Sequence, residues 1–210
     1  KNVMCNYFNK KMITTKKFWI NNNNFYYIRN KAILRKRYNF NKDAYLIGSF
    51  QKDTEGKTNL PKLSKGPDIF INIVKDMYEK NNKIEIVLTG LRREYLINEL
   101  EKCGIKYHYF NMVSLKEINE LFNCLNLYII SSRCEGGPRA VLEAGLTKTP
   151  IISTKVGIAP ELMARSSLYD YEDWTSDGGN TSGQGGAYYA TSTFVVVKSN
   201  SPIVKPTVTN

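Results

Sequence analysis

From residue 44 onward, short apolar runs alternate with longer stretches whose apolar residues recur every three to four positions. Such alternation predicts strands joined by amphipathic helices, that is, βαβ units around a parallel sheet. Strands are predicted over 44–50, 84–89, 105–110, 127–131 and 150–154. An unbroken apolar run such as Ile86-Val87-Leu88 is expected where helices cover both faces of a sheet. Helices are predicted over 67–80, 93–103, 114–125 and 138–146. In the first of them Ile69, Phe70, Ile73, Val74, Met77 and Tyr78 share one face. Pro67 and Pro138 suit a first helical turn, and Ser114 with Glu117 forms a capping box. Residues 44–165 therefore read as one doubly wound α/β domain.

The flanks are of different material. Residues 1–43 are rich in Asn, Lys and aromatics, with little periodicity beyond a short helix over 31–38, and read as an irregular basic arm. Residues 166–210 form a Gly/Thr/Val-rich tail: its glycines between 178 and 186 are linker-like, and 191–198 reads as one strand. Those glycines follow no strand and open no helix, which excludes a dinucleotide fingerprint.

Composition bounds the function without naming it. A chain of 210 residues, 42% hydrophobic and 23% charged, is long enough to bury a core and is neither fibrous nor wholly disordered. The net charge of +11 is unevenly placed. Residues 1–43 carry 11 Lys or Arg against one acid, 44–165 carry 17 against 14, and 166–210 carry 2 against 4. Four cysteines without C-x-x-C spacing and a single histidine, His108, suit reduced thiols in the cytoplasm and no zinc site. His108 reads as a packed or edge residue and Cys134 as structural. No apolar stretch approaches the roughly 20 residues that span a bilayer, and the N-terminus has no signal-peptide pattern. A soluble or peripheral membrane protein is expected.

Ligands of open parallel sheets bind where strands run out into loops. After the first strand, Gly56-Lys57-Thr58 imitates a phosphate loop, but Gln51 stands where the motif needs glycine and Pro61 follows where its helix should begin. What remains is Lys52 in a polar loop, then Lys65-Gly66-Pro67-Asp68 at a helix mouth: a candidate anion site, or ordinary solvated lysines. In the second loop Gly90 permits close backbone approach, while Arg92 and Arg93 either reach phosphate or face solvent. In the third, Met112 offers an apolar wall to a base, or none. The fourth loop, Ser131 to Gly145, is richest: Gly136 and Gly137 free the backbone and Pro138-Arg139 open a helix that favours an anion. Glu135 beside it suits sugar hydroxyls or a developing positive charge, and Glu143 suits ribose hydroxyls; the plainer readings are a helix-start acid and a surface acid.

Glu135 and Glu143 stand in the E-x7-E spacing, within Ser-Arg-Cys-Glu-Gly-Gly-Pro-Arg-Ala-Val-Leu-Glu-Ala, and the stretch from Thr149 to Glu161 follows with a glycine turn at Gly157. Together with Lys65-Gly66-Pro67-Asp68 and the Gly90 turn, these resemble, in order and spacing, the donor-binding lobe of GT-B retaining glycosyltransferases of the family 4 (group 1) type. The resemblance covers about 44–165, with 19–43 as an interdomain lead-in. It implies a Rossmann-like lobe that binds a nucleotide-diphosphate sugar and transfers the sugar with retention, without cofactor or metal. It further implies that Lys52 and Lys65 neutralise the diphosphate and that backbone N–H groups from Gly136 to Arg139 assist them. Glu135 would hold the sugar, Glu143 the ribose, and Gly90 and Met112 would flank the base. Only 18 residues precede Trp19, so the expectation is a donor lobe that binds nucleotide sugar but transfers poorly without an acceptor-binding partner, a separate lobe or chain.

Two other classes compete. A nucleic-acid or anionic-membrane module would use Lys10, Lys11, Lys16, Lys17, Arg35, Lys36 and Arg37 interleaved with Phe18, Trp19, Phe25, Tyr26 and Tyr27. An interaction scaffold would combine a transferase fragment with an unrelated tail.

Overall fold

The computed structural model describes residues 20–56 and 58–174. Its strands are β1 (Tyr45–Ser49), β2 (Ile84–Thr89), β3 (Tyr107–Phe110), β4 (Leu127–Ile130), β5 (Ile151–Thr154) and β6 (Leu168–Tyr169). Its helices are α1 (Lys31–Arg37), α2 (Pro67–Lys80), α3 (Glu94–Lys102), α4 (Leu115–Cys124), α5 (Arg139–Thr147) and α6 (Ala159–Leu162). The strands pair in the order β3-β2-β1-β4-β5-β6, every pair parallel. The chain runs outward from β1 to β3 and then returns to lay β4 on the other side of β1. The direction of winding thus reverses between β1 and β4, and at such a switch point the diverging loops leave a crevice.

Strand side chains alternate between two cores. Ile47, Ile86, Leu88, Leu127, Ile129 and Ile152 pack with α2 and α3. Leu46, Val87, Tyr128, Ile130 and Ile151 pack with α1, α4, α5 and α6. Burial on both faces is why these strands are apolar throughout and do not alternate with polar residues.

Most predicted elements form, with ends shifted by a residue or two. The predicted strand over 105–110 begins at Tyr107, because Gly104 turns in the left-handed region and Ile105 N–H closes onto the Leu100 carbonyl. The capping box holds, with Ser114 Oγ accepting from Glu117 N–H and Glu117 accepting from Ser114 N–H. Beyond residue 166, part of the predicted linker instead forms β6, a strand of two residues that is too short to leave a periodic signal. The predicted strand over 191–198 and the tail glycines lie outside the described residues.

From residue 20 on, the basic lead-in is built into the domain. Phe25, 1% exposed, packs edge-on against Phe122, and Leu34 and Phe40 join the same core. Asn119 and Asn123, one turn apart on α4, accept from the N–H groups of Tyr26 and Ile28, and Asn123 donates to the Tyr26 carbonyl. Arg35 caps the C-terminal end of α4: Nε and Nη2 donate to the Cys124 carbonyl at 3.0 and 2.8 Å, where a cation meets the negative end of the helix dipole. Arg37 and Tyr38 both donate to the buried Glu120 at 2.8 Å. Arg35, Arg37 and Phe25, three ingredients of the nucleic-acid or membrane reading, are therefore structural. The lysines and aromatics that this reading also needed at 10–19 lie outside the described residues.

His108 lies in β3, its ring 4.8 Å from that of Phe40, with Nε2 2.7 Å from a Glu85 oxygen. That is the packed position expected of it.

Candidate functional site

A fully parallel sheet delivers every strand-to-helix loop to one edge, so the loop residues singled out from sequence share that edge. Two of them meet at the switch point. The short turn Leu63–Lys65 before α2 brings Lys65 against the loop after β4, where its ammonium forms an ion pair with Glu135. The side chains are 27% and 16% exposed, sheltered yet reachable from solvent.

Gly66 makes the approach feasible. Its φ is +60°, and a Cβ there would lie 1.9 Å from the Ser131 carbonyl oxygen, so the turn before α2 sits directly on the end of β4. Side chains then pin it. Gln51 Nε2 donates to the Lys65 carbonyl at 2.9 Å, and Ser131 Oγ donates to the same carbonyl at 3.1 Å. Ser132 Oγ lies 3.1 Å from Glu135 Oε1 and 3.3 Å from Gln51 Oε1. Arg133 joins from the other side, donating to both Asp68 oxygens at 2.8 and 2.6 Å. Gln51, Asp68, Ser131, Ser132 and Arg133 were not singled out as site residues from sequence, since apart from the Ser132–Glu135 contact their partners lie from 14 to 81 residues away along the chain.

The glycine turn after β5 closes the floor. Gly157 has φ +53°, and a Cβ there would meet Gly136 O at 2.8 Å and Gly137 N at 2.9 Å. The Gly136-Gly137 backbone thus rests on the next loop, with buried Pro138 leading into α5 and exposed Arg139 opening it. Glu143, one turn inside α5, is mostly buried, with Oε1 3.9 Å from Arg139 Nε. Burial raises its carboxyl above the ordinary range, the charge of Arg139 opposing it. Lys52 is exposed in the loop after β1.

Gly90 and Met112 lie farther along the same edge, after β2 and β3. Gly90 has φ +86° with open space where a Cβ would be, its carbonyl accepts from Tyr109 OH at 2.9 Å, and Met112 is 76% exposed.

Of the arginine pair in the second loop, Arg92 is exposed, as one of the two sequence readings has it, whereas Arg93 follows neither. Arg93 is fully buried, reaching neither phosphate nor solvent: its Nε lies 3.0 Å from Asp53 Oδ2, and Nη2 donates to Ser49 Oγ at 3.2 Å. The Nε contact is close but poorly aligned as a hydrogen bond, so the pair is held by charge. It ties the loop carrying Lys52 to the start of α3. Burial raises Asp53 to about 6, only partly opposed by Arg93.

Among the described residues, no group of three or more His, Cys, Asp or Glu side chains is arranged to hold a metal ion, and no helix is long and apolar enough to cross a membrane.

Comparison with known proteins places this edge in context. The chain is similar in structure to the C-terminal domain of LpcC, a group 1 family glycosyl transferase of Francisella tularensis, at 20% identity and TM-score 0.60 over 72% of this chain and 80% of that one. It is similar to HepE of Anabaena, solved with UDP and glucose, at 19% identity and TM-score 0.58 over 72% of this chain and 41% of that one. Identities this low establish a common fold. A stretch of 70 residues, 32% of this chain, is 36% identical to peptide-N(4)-(N-acetyl-β-D-glucosaminyl)asparagine amidase F of Elizabethkingia miricola, and spans 19% of that protein. The chain therefore spans well under half of HepE and about a fifth of the amidase. Residues 60–167, just over half of the 210, match the family described as Glycosyl transferases group 1, and the chain belongs to that family.

Proposed function

We propose that this chain is the donor-binding lobe of a glycosyltransferase, taking a nucleotide-diphosphate sugar at the switch point between β1 and β4 and transferring the sugar with retention. The observation that carries the proposal is the Lys65–Glu135 pair, held between Gln51, Ser131 and Ser132 beside the start of α5. A cation and an acid fixed side by side suit a ligand that is a diphosphate at one end and a polyol at the other.

In this reading Lys65 and Lys52 meet the diphosphate, joined by backbone N–H groups at Gly136, Gly137 and Arg139, and no metal or cofactor takes part. Charge builds on the diphosphate as the bond from the anomeric carbon to its oxygen breaks, so these donors act most strongly in the transition state. Glu135 accepts from sugar hydroxyls and Glu143 from ribose hydroxyls, with the base toward Gly90 and Met112. The acceptor hydroxyl attacks the face the diphosphate leaves, and its proton departs with the nucleotide product. HepE, solved in complex with UDP and with UDP-glucose, supports a uridine nucleotide as one candidate donor. The acceptor site is assigned to a second lobe, on this protein or a separate one. The free thiols of Cys103, Cys124 and Cys134 support a reducing compartment, and we assign the cytoplasm.

Calorimetric titration of UDP, GDP and ADP, each with and without a linked sugar, tests the proposal. Binding by at least one of them, weakened by Lys65→Ala and by Glu143→Ala, is expected; no binding by any of them contradicts it.

A further inference from the structure

Lys65 and Glu135 meet only if the turn before α2 is held against the loop after β4. We propose that Arg133 and Asp68 are positioning residues, whose bidentate ion pair clamps these two segments and so places the Lys65 ammonium for the donor's diphosphate. The inference rests on the donor-site reading above.

One guanidinium bridges both sides of Lys65. Arg133 Nη1 donates to the Leu63 carbonyl at 3.0 Å, at the start of the turn, and to Asp68 Oδ1 at 2.8 Å, in the first turn of α2. Nη2 donates to Asp68 Oδ2 at 2.6 Å. The backbone continues the clamp, since Arg133 N–H and Cys134 N–H both donate to the Ser64 carbonyl, at 3.0 and 3.2 Å. Behind the guanidinium lies the Tyr171 ring, its centroid 5.8 Å from Cζ. Each side chain is 25% exposed, so the pair is shielded more than a surface ion pair, which on its own would contribute little.

The fork of a guanidinium matches a carboxylate with two parallel hydrogen bonds and still has N–H groups for a carbonyl. Lysine, whose three N–H donors share one nitrogen, cannot hold Asp68 and Leu63 in that plane. These contacts engage Arg133 with Asp68 and Leu63, so in this proposal its effect reaches the diphosphate through Lys65. Asp68 gains further from sitting at the positive end of α2.

The experiment measures affinity for whichever of UDP, GDP and ADP the native chain binds most tightly, in Arg133→Ala, Arg133→Lys, Asp68→Asn, Lys65→Ala and the double variants with Lys65→Ala. Roughly tenfold weaker binding is expected of Arg133→Ala, Arg133→Lys and Asp68→Asn, with each double variant no weaker than Lys65→Ala alone. The exchanged pair, Arg133→Asp with Asp68→Arg, is expected to recover part of the loss. Losses that simply multiply in the double variants, or native affinity in Asp68→Asn, overturn the positioning role. Asp68→Asn preserves side-chain shape and carries the test should Arg133→Ala fail to fold. If the native chain binds no nucleotide, the functional proposal falls, and this role with it. Native binding with unaltered variants overturns this role alone.

Discussion

Lys65 and Glu135, 70 residues apart in sequence, form an ion pair across the crevice between the turn before α2 and the loop before α5. The cation assigned to the diphosphate thus faces the acid assigned to the sugar, and a bound donor must take over part of each partner's bonding. Removing either one should have opposite consequences for a nucleotide that lacks its sugar. Lys65→Ala should weaken nucleoside diphosphates and nucleotide sugars alike, by roughly tenfold or more. Glu135→Gln should leave the diphosphate bound as tightly or more tightly, because Lys65 no longer has a competing carboxylate, while erasing the sugar's contribution. Calorimetry with paired ligands, with and without the sugar, reads both effects.

Two glycines of similar backbone conformation should respond very differently to alanine. At Gly66 a methyl group would collide with the carbonyl of Ser131, which is fixed as the chain leaves β4. Gly66→Ala is expected to cost roughly 2–4 kcal/mol, from left-handed strain plus overpacking. Gly90→Ala meets open space, carries the backbone strain alone and should cost about 1 kcal/mol. Urea unfolding separates the two, and equal losses would contradict the close approach of the turn to β4.

Asp53 sets a pH dependence with a definite sign. Its carboxyl is raised to about 6 from an ordinary 3.8, with burial the main cause. Between those values the folded chain holds a proton that the unfolded chain releases. Stability from this group is therefore full below about pH 4 and falls as pH rises through 6, by up to about 3 kcal/mol. Unfolding free energies of the native chain and Asp53→Asn, compared at about pH 4 and pH 7, should show the native chain losing ground to the variant as pH rises. A difference that does not change with pH would refute the titration of Asp53.

Much of the fold was legible because strands buried on both faces write continuous apolar runs, as in Ile86-Val87-Leu88. Lys65 and Glu135 stood out through the turn and helix-start chemistry around them, with plainer readings open, and drew their proposed roles from the family resemblance. Their holders did not stand out: Gln51, Ser132, Arg133 and Asp68 are ordinary polar residues until the sheet brings the β1–α2 and β4–α5 connections together at one edge. Arg93 misled because a loop arginine is usually exposed, and its partner Asp53 lies 40 residues earlier on the other side of α2. The docking of the lead-in had one readable sign, the polar pair Asn119 and Asn123 one turn apart beside buried Leu121 and Phe122 on α4. The strand β6 had none.

Arg35 separates structure from ligand binding. It caps α4 near Cys124, at the edge of the sheet where strands begin, away from the crevice. Arg35→Met should lower stability by roughly 2–4 kcal/mol through lost charge-assisted hydrogen bonds and the lost helix-end cation. Nucleotide affinity of the folded variant should stay within about twofold of native. Chemical unfolding and calorimetry on one preparation check both halves.

In the proposed function, the switch point between β1 and β4 binds the diphosphate of a nucleotide sugar through Lys65. Titrating UDP, GDP and ADP sugars into the native chain and into Lys65→Ala puts that binding to the test. Saturable binding of at least one sugar nucleotide, weakened roughly tenfold or more by the substitution, is the expected result. No binding by the native chain, or equal binding by Lys65→Ala, would contradict it.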